Sequence, residues 1–152
     1  MSGGQTGADR SALDFAREHG IPHGGWCPQG RLSEDGAIGS AYALQETPAP
    51  YYPQRTEWNV RDSDGTVIFS ISPTLAGGSK VTADFAASLN KPWLHLSKER
   101  DAILAADRLV EFVRGNAIRV LNVAGPRASG EPAVGEFVRQ VLGQALIGGR
   151  QR

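Results

Sequence analysis

The sequence predicts an α/β protein, a parallel sheet flanked by helices on both faces, in a single domain. Three observations predict it. From Gly65 onward, apolar runs alternate with helix-period segments, as in repeated strand–helix–strand units. The run "TVIFSI" is apolar and β-branched almost throughout, the mark of a strand buried on both faces. Most of the nineteen glycines cluster between apolar runs, where strand-to-helix turns would lie, and not in a linker. At 152 residues the chain, taken as one unit over 1–152, has one domain's length and can bury a core.

Each element has its own justification. Ala8 to His19 reads as a helix, with Ala12, Leu13 and Ala16 on one face, Phe15 beside them and Gly20 as its stop. Thr6 and Asp9 stand three apart at its start, as in a capping box. "HGGWCP" supports a short strand ended by Pro28. Gln29 to Trp58 mixes a polar turn ("SEDG"), an extended "YALQET" and a proline-rich "PAPYYP", which reads as an elaborated loop with one short strand. Asp62 and Asp64 fall in a turn ahead of the buried strand. "GGSKVTADFAASLN" predicts a helix with Val81, Phe85, Ala86 and Leu89 on one face, and "PWLHL" a short strand. Asp101 to Arg114 predicts a helix with Ile103, Leu104, Leu109, Phe112 and Val113 inward. "IRVLNVAG" is a further strand, and Val134 to Leu146 a closing helix.

Composition narrows the function. Sixteen Lys+Arg balance sixteen Asp+Glu, which argues against a sequence-blind nucleic-acid binder. The single cysteine, Cys27, can close no intramolecular disulfide, and His19, His23 and His95 are too scattered for a metal pattern, so no metal site is expected. No apolar run approaches a membrane span and no basic-then-apolar leader opens the chain, so the expectation is a cytoplasmic protein without a membrane partner. Trp26 and Trp58 read as core packing.

Three strand-to-helix turns carry the candidate chemistry: "SGGQTGADR", "SPTLAGGSK" and "AGPRASGE". In a parallel sheet such turns share the edge at the carboxyl ends of the strands. Helix N-termini there present unpaired N–H groups and positive dipole ends, and glycine lets a bound group come close. An anion, above all a phosphate, is the natural guest, with Arg10 and Arg127 as neighbouring cations and Lys80 as a further candidate. Neither a Walker A frame nor a G-x-G-x-x-G is present. Asp9 fits two roles, a favourable charge at the helix start or a group that contacts ribose or activates water.

The ordered motifs "SGGQTGADRSALDFA", "GGWCPQGR", "RTEWNVRDSDGTVIF", "GGSKVT" and "LNVAGPR" resemble the circularly permuted YpsA family over nearly the whole chain. The resemblance implies a Rossmann-like fold shared with LOG-type phosphoribohydrolases, molybdenum-cofactor carriers and the DNA-processing protein DprA. It implies ligand contacts at Gly3, Gly4, Gln5, Thr6, Gly7 and Asp9, at Gly77, Gly78 and Ser79, and at Gly125, Pro126 and Arg127. LOG-type enzymes carry a catalytic Glu in P-G-G-x-G-T-x-x-E. This chain reads "AGGSKVTADF", with Asp84 as the nearest acid, so Asp9 and Asp84 are the candidate catalytic acids.

The expected function is binding of a nucleotide or a nucleotide-derived phosphorylated ligand, molybdenum cofactor included. The alternatives are a phosphoribohydrolase or other N-glycosidic hydrolase, and a single-stranded nucleic-acid module. The resembling family places a short apolar strand immediately before "SGGQTG", where only Met1 stands here. The expectation is that Met1 is a mis-assigned or truncated start, or that another segment fills the sheet, for example from a neighbouring subunit of a homo-oligomer.

Overall fold

A computed structural model describes residues 1–148. The fold is α/β with parallel strands flanked by helices. Chain order runs α1 (Ala8–Glu18), β1 (Trp26–Cys27), β2 (Gln45–Glu46), α2 (Tyr52–Arg61), β3 (Gly65–Ser70), α3 (Gly77–Ser88), β4 (Trp93–Ser97), α4 (Lys98–Asp101), α5 (Ala105–Gly115), β5 (Leu121–Ala124) and α6 (Val134–Leu142). A π-helical turn, Gly143–Ile147, closes the described chain.

The strands form a three-stranded parallel ladder in the order β4–β3–β5, and β1 pairs with β2 in parallel. Met1 and Ser2 join the two. The Met1 nitrogen donates to the Leu121 carbonyl at 2.6 Å, Val123 N–H donates to the Met1 carbonyl at 2.9 Å, and Ser2 N–H donates to the Gly24 carbonyl at 3.0 Å. The first glycine turn is therefore fed from inside the sheet. On the far side of Met1 an apolar groove of about 550 Å3 opens along Leu13, Phe15, Ile21, Ile118, Leu121 and Leu142.

Every residue of β3 is buried, as its unbroken apolar run requires. Val67 and Phe69 join a core with Ala12 and Phe15 of α1, Leu109 of α5 and Val134, Phe137, Val138 and Val141 of α6. Ile68 points to the other face, where α2 and α3 pack together with Val60, Ala83 and Ala86 buried.

Four expectations change. The stretch read as loop up to Trp58 ends in helix α2, whose second residue, Pro53, is suited to a first helical turn. The helix expected from Asp101 is broken at Ala102–Leu104, leaving Ile103 93% exposed and Leu104 55% exposed where burial was expected. Val81 faces outward at 38% exposure, and Thr82, Ala83 and Ala86 take the inner face of α3. No capping box forms at α1. Its N-cap is Gly7, Thr6 Oγ1 bonds to Glu34 and accepts Ala128 N–H, and Asp9 turns to Arg55. Trp26 and Trp58 pack edge to face, with Trp26 Nε1 on Asp62 at 2.8 Å.

Candidate functional site

The three glycine turns lie on one edge of the sheet. Ala8 N–H donates to the Pro126 carbonyl at 3.2 Å, which joins the first turn to the third. Gly7 makes that junction feasible. Its φ is +80°, and a Cβ there would stand 2.5 Å from the Pro126 carbonyl oxygen and 2.7 Å from Ala128 N. The second and third turns face each other across a cleft of about 410 Å3.

The cleft gathers Gln5 and Asp9 from the first turn, Gly77, Gly78 and Ser79 from the second, and Gly125, Pro126 and Arg127 from the third. Its remaining wall is the start of α2, with Tyr52, Pro53, Arg55 and Thr56. These α2 residues were missed as site residues in the sequence. The signal was there, because Arg55 opens the "RTEWNV" motif, but a helix that starts among prolines resembles a loop.

Other expected site residues lie elsewhere. Gly4 packs under Leu44 and Ile38, and Thr6 is engaged by Glu34. Arg10 turns away from the cleft, donating to the Gly4 carbonyl at 3.0 Å and to Asp35 at 2.9 Å. Its hydrogen bond holds the Asp35 carboxyl down at about 2, so the charge of Arg10 is already engaged. Lys80 and Asp84 form an exposed i,i+4 pair at 3.8 Å, outside the residues that line the cleft. Gly3 has a different task. A Cβ at this position would collide with Arg55 Nη1, so glycine here makes room for the Arg55–Asp9 pair.

That pair forms the floor of the cleft. Arg55 Nη1 meets Asp9 Oδ2 at 3.1 Å, and the Asp9 side chain is 4% exposed. Burial pushes the Asp9 carboxyl up from its ordinary value, opposed by Arg55 and by a backbone hydrogen bond at Gln5. At the cleft wall, the N-cap of α3 is Ala76, which has no side chain to cap with, so first-turn N–H groups stay open to a guest. The Arg127 guanidinium lies 4.3 Å from the centre of the Tyr52 ring. Among the described residues it has no carboxylate within 4.0 Å. Glu131 braces the segment between β3 and the second turn, accepting Ile71 and Ser72 N–H at 2.9 Å each.

A parallel sheet with glycine turns and helix N-termini gathered over its carboxyl edge defines a Rossmann-like α/β protein. The chain belongs to the circularly permutated YpsA SLOG family, whose model matches residues 1–146. It is also similar to the 1.45 Å crystal structure of a protein named "putative molybdenum carrier protein" from Syntrophus aciditrophicus SB. That likeness has 49% sequence identity and a TM-score of 0.92, covering 95% of this chain and 92% of that one. No curated protein matches the chain.

Proposed function

We propose that the chain binds a phosphorylated ligand, a nucleotide or nucleotide-derived molecule, in the cleft between the second and third turns. One observation carries the reading. Arg127 reaches the cleft without a carboxylate partner among the described residues, opposite the uncapped N-terminus of α3. A phosphoryl group there gains charge-assisted hydrogen bonds from the guanidinium and backbone N–H bonds from the helix start.

Molybdenum cofactor, as a phosphorylated heterocycle, belongs to this ligand class, and the name of the similar crystal structure is consistent with it. The cleft would hold its phosphate with Arg127 and the α3 N-terminus. No cysteine or histidine is among the residues lining the cleft, so the metal would be held through the ligand's own donors.

The test is titration calorimetry with adenosine monophosphate and pyrophosphate. Arg127→Ala is expected to weaken binding by ~1.5–3 kcal/mol, the value of a hydrogen bond to a charged group, with the melting temperature nearly unchanged. Lost stability with retained affinity would make Arg127 structural. Mass spectrometry of small molecules that co-purify with the native protein would then identify the base.

One observation favours a second reading, hydrolysis of an N-glycosidic or phosphoribosyl bond. Asp9 is a buried acid on the cleft floor with its pKa raised, the setting of a proton donor. Release of ribose 5-phosphate from nucleoside monophosphates, lost in Asp9→Asn, is the expected signature. Asp84 takes no part in this reading because it is paired with Lys80 away from the cleft.

A further inference from the structure

We propose that Tyr52 is a positioning residue, whose ring holds Arg127 at the cleft in place to meet the phosphoryl group. The proposal rests on the anion-binding reading above and adds a residue to it.

The geometry is specific. Tyr52 is the first residue of α2 and Pro53 the second, so proline's fixed φ sets the direction in which the helix starts. Two guanidinium groups approach the Tyr52 ring. Arg127 comes from the third turn, 4.3 Å from the ring centre, and Arg55 from the next turn of α2, at 5.7 Å. They are held differently. Arg55 is anchored by Asp9 at 3.1 Å, whereas Arg127 has no such anchor among the described residues.

A long side chain on a turn loses much rotamer freedom when a ligand orders it, and that loss weakens binding. A guanidinium resting on an aromatic face is already ordered, because the negative face of the ring attracts the cation. Tyr52 thus does for Arg127 what Asp9 does for Arg55, without neutralising its charge.

The experiment measures pyrophosphate and adenosine monophosphate affinities for wild type, Tyr52→Phe, Tyr52→Leu, Arg127→Ala and the Tyr52→Leu/Arg127→Ala pair. Tyr52→Phe keeps the aromatic face and should bind within about twofold of wild type, while Tyr52→Leu should bind about fivefold or more weakly. Because Tyr52 acts through Arg127, adding Tyr52→Leu to Arg127→Ala should cost less than about twofold further.

Additive losses would show that Tyr52 contacts the ligand on its own account. Equal losses in the Phe and Leu variants would assign the effect to the hydroxyl. An unchanged Leu variant would leave the ring without a role. Each of these overturns the proposal. If Tyr52→Leu unfolds, Tyr52→Met carries the same comparison. If wild type binds neither probe, the anion-site reading itself falls.

Discussion

The Met1 nitrogen gives a prediction that pH can read. It sits inside the sheet, bonded to the Leu121 carbonyl, and burial lowers its pKa from 8.0 to about 6. Between those values the unfolded chain binds more protons than the folded one, so stability rises with pH through this window. At ~1.36 kcal/mol per unit, a shift of about two units makes the chain ~2–3 kcal/mol less stable below pH 6 than above pH 8 from this group alone.

Two fusions separate the contributions. Gly-Ser-Gly-Ser ahead of Met1 turns the ammonium into a peptide N–H, which makes the same bond without charge. Thr-Val-Ile-Val does this too and offers apolar side chains to the groove beside Leu121 and Ile118. Urea melts at pH 5.5 and pH 8.5, with intact mass confirming that Met1 is retained, give the result. Burial also lowers the His95 pKa from its ordinary value, and any pH slope it adds is common to all three chains and cancels in the difference. Both fusions should lose the same part of the pH slope. The apolar one should exceed the Gly/Ser one by ~1.5–3 kcal/mol for each Val or Ile side chain that becomes fully buried. An unchanged slope in both fusions would show that the nitrogen is not buried. Equal stability of the two would show that the groove accepts no strand.

Gly7→Ala combines a positive φ with backbone atoms closer than any Cβ tolerates, so a loss of ~2 kcal/mol or more is expected in thermal melts, centred on the junction of the first and third turns. A melting temperature like that of wild type would mean that the junction is loose. Arg55→Met strands the buried Asp9 carboxylate and should destabilise by ~3–5 kcal/mol at neutral pH. The loss should shrink as pH falls and Asp9 takes up a proton, and Asp9→Asn added to it should restore part of the stability. Simple additivity of the two changes would refute the pair.

How far the sequence exposed this design depends on distance along the chain. The β3 run "GTVIFS" could be read because burial on both faces leaves a purely local imprint. Gly77 to Ser79 and Gly125 to Arg127 could be placed on one edge because parallel topology forces it. Arg10 could not be placed correctly, because its partner, Asp35, is 25 residues away in a loop without periodicity. Thr6 and Asp9 looked like a local capping box, yet their partners, Glu34 and Arg55, lie 28 and 46 residues on. Local propensity favoured the box, and long-range charge pairing won. Helix α2 was obscured by Pro50 and Pro53, although a proline in the first turn is itself a helix-start signal.

The same pairings bear on the proposed anion site in a chain of zero net charge. Arg10 is engaged by Asp35, Lys80 by Asp84 and Arg55 by Asp9, so these cations add little net field. Arg127 is held by the Tyr52 ring, which fixes a cation without cancelling it. On the proposed reading, attraction for an anion is confined to the cleft instead of spread over the surface. Such a site would capture its ligand by contact at short range and not by steering from a distance, since the field of one charge is screened beyond ~8–10 Å at physiological salt. This arrangement favours a small phosphorylated molecule, which brings its charge to one point, over a polyanion such as a nucleic-acid strand, whose affinity grows with the number of phosphates met along a basic surface.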